Sequence, residues 1–126
     1  MNFPSDLKYT KDHEWIRVEG GAATIGITDH AQRALGDIVF VELPALGKTL
    51  KQGGTFGVVE SIKAVSDLYS PVAGRVAQIN TNLPDDPAQV NKDPYAAWFF
   101  RLRPADPAGV ANLLDARAYE AAIGDA

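Results

Sequence analysis

In Gly57-Val58-Val59-Glu60-Ser61-Ile62-Lys63-Ala64-Val65-Ser66-Asp67-Leu68-Tyr69-Ser70-Pro71-Val72-Ala73-Gly74, two runs rich in β-branched and aromatic residues close on each other across residues 62–65. Such runs read as strands, and the short link between them reads as a tight turn. Lys63 therefore stands at the apex of a hairpin. There its amine is accessible and free to sweep, while the stiff flanks fix where the sweep begins. An ordinary solvated lysine suits that position too, so the surrounding pattern has to decide.

Outward from the hairpin, Pro71-Val72-Ala73-Gly74-Arg75-Val76-Ala77 resembles Pro44-Ala45-Leu46-Gly47-Lys48-Thr49-Leu50, offset by 27 residues. Each copy is Pro-x-x-Gly, a base, then apolar alternation. Such a repeat implies two halves related by a quasi-twofold within residues 37–80, with residues 51–70 crossing between them. Further strands are expected over residues 14–18 and 23–27, turned at Gly20-Gly21, and over 37–43, which reads as buried. Strands over 55–62, 75–80 and 97–103 complete the β set. Thr28 or Asp29 caps a short helix over 29–35 that stops at Gly36. Residues 84–94, rich in Pro, Asp and Asn, read as a surface loop with at most one helical turn. Over 106–123 the period changes: Asp106 caps a helix with Pro107 at its first position, and Asp115 caps a second helix. Leu113, Leu114 and Tyr119 are expected to pack this segment on the β body. The whole, residues 1–126, reads as a single mainly β domain, a sandwich or barrel with short helices.

Composition narrows the function. At 126 residues, with 46% hydrophobic and 22% charged residues, the chain is an ordinary globular one. Twelve basic residues against sixteen acidic ones give a net charge of −4. That balance, with bases scattered singly along the sequence, argues against nucleic acid. No apolar run is long enough for a membrane span. The opening Met1-Asn2-Phe3-Pro4-Ser5-Asp6 has neither a signal-peptide nor a presequence pattern, so a cytoplasmic protein is expected. With no cysteine, disulfides, thiolate metal sites and Cys nucleophiles are excluded together.

Enzyme signatures are sought and not found. His13-Glu14-Trp15-Ile16-Arg17 fails the zinc pattern His-Glu-x-x-His at Arg17. A metal site would need His13, His30 and carboxylates to converge, and two surface or capping histidines are expected instead. Gly47-Lys48-Thr49 lacks the earlier glycine of a phosphate loop, since Glu42 stands there, and a strand follows it. Gly53, Gly54 and Gly57 form no dinucleotide fingerprint. Asp85 and Asp86 lie in a Pro-rich loop without an apolar pocket to separate their proton affinities.

Several motifs in one order then carry a resemblance. They are Tyr9-Thr10-Lys11-Asp12-His13-Glu14-Trp15, Gly26-Ile27-Thr28-Asp29-His30-Ala31-Gln32, and Leu35-Gly36-Asp37-Ile38-Val39-Phe40-Val41-Glu42-Leu43-Pro44. Val59-Glu60-Ser61-Ile62-Lys63-Ala64-Val65-Ser66-Asp67, Ser70-Pro71, Val90-Asn91-Lys92-Asp93-Pro94-Tyr95 and Leu113-Leu114-Asp115-Ala116 continue it. The chain resembles the H proteins of the glycine cleavage system, the lipoate-bearing carriers, over nearly its whole length. One departure is visible: after Tyr95 the family usually runs through Gly-rich residues to a Trp, whereas here Ala96-Ala97 lead directly to Trp98. A biotinyl domain is disfavoured because Ile62 and Ala64, not methionines, flank Lys63. A lipoyl domain of a 2-oxoacid dehydrogenase would leave the N-terminal hairpin and the C-terminal helices unexplained. An H-like protein serving lipoate relay or sulfur metabolism, or an unmodified interaction module, are the remaining alternatives.

The resemblance implies a barrel-sandwich hybrid fold and a monomeric carrier that is not itself an enzyme. It implies (R)-lipoate joined through an amide to Lys63, which removes the lysine charge. It also implies four kinds of partner. A pyridoxal-phosphate glycine decarboxylase loads the arm with the aminomethyl group of glycine, and a tetrahydrofolate-dependent aminomethyltransferase unloads it. A flavin-dependent dihydrolipoamide dehydrogenase reoxidises it, and a lipoate ligase or lipoyl/octanoyl transferase attaches the lipoate. The lysine stem and lipoyl chain reach on the order of 12–14 Å. Because the loaded arm ends in an ammonium, a carboxylate in its groove would hold it by a charge-assisted hydrogen bond. Glu14 is the first candidate and Asp67 the second, while Glu60 is expected to serve recognition by the lipoylating enzyme. Net acidity suggests partners with basic rims.

Overall fold

A computed structural model describes residues 2–106 and 108–124. Nine strands run in the order β1 (Lys8–Tyr9), β2 (Glu14–Glu19), β3 (Ala22–Ile27), β4 (Ile38–Glu42), β5 (Thr49–Leu50), β6 (Thr55–Ser61), β7 (Val65–Tyr69), β8 (Gly74–Ile79) and β9 (Phe100–Pro104). Four short helices interrupt them: α1 (Asp29–Leu35), α2 (Gln89–Lys92), α3 (Ala108–Ala111) and α4 (Ala116–Ala122). The strands form a six-stranded sheet ordered β1-β2-β3-β9-β8-β5 and a three-stranded sheet ordered β4-β6-β7. Every neighbouring pair is antiparallel.

Local chemistry explains the elements. Gly20 and Gly21, at φ +57° and +82°, supply the two left-handed residues that a tight β2–β3 hairpin demands. Thr28 starts α1 by accepting the Ala31 N–H at its side-chain oxygen, and Gly36 at φ +81° stops it. Asp115 starts α4 in the same way, accepting from the Ala118 N–H. α3 begins just after the expected Asp106 cap; Pro107 itself lies outside the described residues.

Alternation then builds the interior. Ile16, Ile25, Phe100, Leu102 and Val76 point inward from the larger sheet, against Val41, Phe56, Val59 and Leu68 of the smaller one. A second cluster of Leu7, Tyr9, Trp15 and Tyr119 covers part of the larger sheet's other face. In it Tyr9 and Tyr119 stack with ring centroids 4.8 Å apart. Trp15 lies on Gly26, where an added Cβ would stand 2.6 Å from the indole.

The two Pro-x-x-Gly copies lie side by side and antiparallel. Thr49 faces Arg75 and Leu50 faces Gly74, and the Val76 N–H donates to the Lys48 carbonyl. Exchanging the copies turns the pair Thr49–Arg75 into Val76–Lys48, so the contact is self-complementary.

Several expectations are corrected. The strand expected over 37–43 is shorter and only half buried: Ile38 and Val41 face the core, while Val39 and Phe40 are 56% and 45% exposed, because the three-stranded sheet is packed on one face and its register shifts between Ile38 and Phe40. The strand expected over 97–103 begins at Phe100, since Ala96 and Ala97 give their N–H groups to the Asp93 carbonyl in a turn. β1, β5 and α2 are too short to show a period.

Candidate functional site

The β6–β7 hairpin carries Lys63 at its tip. The Ser61 N–H donates to the Ala64 carbonyl at 2.8 Å, closing the turn. The Ser61 hydroxyl oxygen accepts from the N–H groups of Lys63 at 3.3 Å and Ala64 at 3.1 Å. From outside, the Ile62 N–H donates to the Asp37 carbonyl at 3.0 Å. The lysine stem leans over Gly36, where a Cβ would meet its Cε at 3.5 Å. Gly36 is itself fixed by Asn91, whose amide donates to the Gly36 carbonyl and to Gln32 and accepts from the Ile38 N–H. Ile62, Lys63, Ala64 and Val65 are all exposed.

Below the tip, the outward face of the small sheet alternates acid and apolar groups. Phe40, Glu60 and Val65 form one cross-strand row, and Glu42, Val58 and Asp67 the next. Glu60 is half-buried between its neighbours, whereas Asp67 is exposed.

Glu14 is built differently. It opens β2 after a turn in which His13 takes φ 69°, and it is 1% exposed, not the solvated strand-edge acid its position suggests. Its Oε1 accepts from the Thr10 hydroxyl at 2.6 Å, and its Oε2 accepts from the Tyr69 N–H at 3.3 Å. Burial raises its carboxyl to about 8, against the pull of those two hydrogen bonds. Beside it lies a cavity of about 480 Å³ whose lining includes Tyr9, Thr10, Gln52, Ser70 and Leu113. Its C-terminal wall is held by reciprocal backbone bonds between Tyr9 and Leu114.

Behind this wall a short hydrogen-bond chain ties three elements. Tyr119 Oη lies 2.7 Å from His13 Nδ1 and 2.9 Å from Thr28 Oγ1. Burial raises the Tyr119 phenol to about 12, while burial and the neighbouring His30 lower the His13 imidazole. Tyr119 thus keeps its proton, and its hydroxyl bonds both His13 and Thr28.

The histidines do converge, with rings 4.6 Å apart, and they are half-buried rather than on the surface. Among the described residues, however, no group of three His, Asp or Glu is placed to hold a metal.

Of the residues singled out in sequence, Lys63, Glu60 and Asp67 share the hairpin, and Glu14 meets the far end of β7 through Tyr69. Asp67 lies four residues beyond Lys63, at most about 14 Å along extended chain, and Tyr69 six residues, at most about 21 Å. Sequence reading missed Thr10, Gln52 and Ser70 as pocket lining. It also took Leu113 and Leu114 as core alone; they pack on the core and line the cavity too. The period-3.6 stripe that contains them could have signalled only that one face is covered, not what it covers.

Comparison with known proteins agrees with this architecture. The family described as Glycine cleavage H-protein matches residues 7–126. The glycine cleavage system H protein 2 of Pseudomonas aeruginosa is 57% identical over 123 residues, 97% of this chain and 95% of that protein. The glycine cleavage system H protein of Aromatoleum aromaticum is 56% identical over 126 residues, 99% of this chain and 98% of that one. The crystal structure of the glycine cleavage system H protein from Mycobacterium marinum superposes with a TM-score of 0.89 at 43% identity, covering 97% of this chain and 99% of that chain.

Proposed function

The chain belongs to the glycine cleavage H-protein family, and from that premise we propose that it is a lipoyl carrier whose arm is joined to Lys63. The observation that carries the reading is the exposed lysine at the tip of a hairpin fixed by Ser61 and Asp37. The residues fit the group: an acylating enzyme reaches the Lys63 amine unhindered, and the Phe40–Glu60–Val65 row below gives it a face to read. Glu60 serves that recognition.

When attached, the dithiolane accepts the aminomethyl group produced by a pyridoxal-phosphate glycine decarboxylase, yields it to a tetrahydrofolate-dependent aminomethyltransferase, and is reoxidised by dihydrolipoamide dehydrogenase. The chain's own residues tether, orient and shelter. The tether raises the arm's effective concentration at each enzyme. Asp67 lies within an arm's length of 12–14 Å and meets a cationic arm terminus first. Glu14 lies deeper, and its buried carboxyl is protonated at neutral pH. A cationic group held beside Glu14 would draw its pKa down, pass the carboxyl proton to solvent and pair with the carboxylate through a charge-assisted hydrogen bond. Tyr9, Leu113 and Leu114 give the cavity beside Glu14 an apolar wall, which would limit water at the pair. No bond is broken by this chain; residues 37–80 form its quasi-symmetric core, and the carrier acts as a cytoplasmic monomer.

The test is glycine-dependent carbon dioxide exchange by the decarboxylase in the presence of lipoylated protein. Wild type supports the exchange and Lys63→Ala does not. Intact mass showing no lipoyl group after incubation with lipoate and its ligase would refute the reading. Glu14→Ala is expected to speed loss of the loaded group without reducing lipoylation.

A further inference from the structure

The four arginines that the sequence scatters at positions 17, 75, 101 and 103 come together on one surface. On the six-stranded sheet Arg17 pairs with Thr24, Thr24 with Arg101, and Arg101 with Gln78. Two residues along, Arg103 pairs with Arg75, and Arg75 with Thr49. All four therefore point away from the core, opposite Ile16, Ile25, Phe100, Leu102 and Val76. The acid-bearing face of the small sheet looks the other way across the same core. The chain is acidic overall, yet this face gathers four arginines against one carboxylate, Glu19, at its β2 edge.

The cationic face is prepared rather than incidental. Arg101 is fixed by hydrogen bonds to Thr24 and Gln78 and lies 4.3 Å from the Trp98 ring centroid. Arg17 lies 5.3 Å over Trp15. Arg75 and Arg103 stand directly opposite each other, an arrangement that costs stability in a sheet. Among the described residues the only ion pair is Arg33–Asp29, so neither has a carboxylate partner. Beside them Leu46, 62% exposed, lines a cavity of about 450 Å³ with Gly47, Arg75, Val76, Ala77 and Arg103. Lys48, the base of the first Pro-x-x-Gly copy, borders the same edge.

We propose that this face docks the carboxylate-rich surface of a folded protein partner, leaving the Lys63 hairpin on the opposite side free. The face extends across five strands, about 19 Å from β2 to β5, broader than one small anion needs. Arg101 held over the partly exposed Trp98 ring, and an exposed leucine beside Arg75 and Arg103 at the other edge, give this face the aromatic and arginine character of a protein interface. Like charges left opposed at Arg75 and Arg103 are relieved when a partner's carboxylates sit between them. Resting on the carrier reading for its choice of probes, the inference adds that one enzyme can hold the carrier by its back while the arm serves another.

The test measures binding of the full chain to the decarboxylase, the aminomethyltransferase and the dihydrolipoamide dehydrogenase at about 50 and about 300 mM salt. Arg103→Glu sets a carboxylate opposite Arg75, so it is expected to hold or raise the melting temperature while weakening at least one of these complexes tenfold or more. Arg75→Glu is expected to act alike. Arg117→Glu, an equal change of charge on α4, leaves binding unchanged, and higher salt narrows the gap between wild type and the face variants. Equal losses in Arg103→Glu and Arg117→Glu, or no loss in either face variant, overturn the proposal while the carrier reading stands. Failure of wild type to bind any of the three enzymes overturns both. Tighter Arg103-dependent binding to single-stranded DNA or to phosphatidylglycerol vesicles than to all three enzymes would also overturn it.

Discussion

The Lys63 tip and the Glu14 pocket sit at opposite ends of β7 and are held by opposite means. The tip is exposed apart from the side resting on Gly36 and Asp37, and one serine hydroxyl and two backbone bonds define it. The pocket is walled by β1, β2, the end of β7 and the segment before α4, beside a carboxyl that water barely reaches. A swinging attachment point needs a rigid origin and little else. A receiving pocket needs low dielectric, which only several elements packed together can supply. Substitutions at the pocket should therefore be felt throughout the fold, and those at the tip only by whatever visits it.

The largest effect is expected from Glu14→Gln, read as a change in pH dependence. The folded-state carboxyl sits near 8 against an ordinary value of 4.5. Between those values the folded state binds more protons than the unfolded one, so this group's contribution is full below the lower value and lost as pH rises through the upper. The loss is on the order of 5 kcal/mol across the window. Urea unfolding from about pH 5 to about pH 8.5 should show a stability decline in wild type that Glu14→Gln flattens. An identical slope in both proteins would mean that Glu14 is ionised in the fold, and the contrast with the exposed tip would fail.

Next comes Gly26→Ala, which places a methyl 2.6 Å from the Trp15 indole. Overpacking of this kind costs about 1–3 kcal/mol, and it also strains the bond from Trp15 Nε1 to the Pro94 carbonyl. Thermal unfolding should register it, while the acylation proposed for Lys63, at the other end of β7 from Glu14, proceeds at the wild-type rate. A smaller loss, about 1–2 kcal/mol, is expected for Tyr119→Phe, which removes the hydroxyl joining His13 to Thr28. A denaturant midpoint equal to wild type would show that the chain does not help to hold α4.

The same contrast explains what could be read from sequence. The tip was legible because a hairpin is local: residues 55–69 contain both strands and the turn, and Thr28 and Asp115 announce their helices within three residues. Motif order, not periodicity, carried the family. The pocket was half legible. Glu14 stood out as a candidate acid, but its burial depends on Tyr69, 55 residues away. The arginine face was illegible for the same reason, since Arg17 and Arg101 become neighbours only through β3. Exposure of β4 was misjudged because an apolar run states that a strand exists, not how many of its faces are covered.

The smallest energetic effect, from Ser61→Ala, is the most discriminating. The Ser61 hydroxyl oxygen accepts from two N–H groups that solvent can serve in its absence, so the stability change should stay below about 1 kcal/mol. The Ser61–Ala64 backbone bond survives the substitution, and so does the hairpin. What is lost is the restriction on Lys63: without it the apex samples more conformers, and the fraction presenting the amine to an acylating enzyme falls. Lipoylation should slow a few-fold while the melting temperature barely moves, the reverse of Gly26→Ala. If both variants slow lipoylation in proportion to their loss of stability, tip and pocket form one cooperative unit, and the division of labour between the two ends of β7 does not exist.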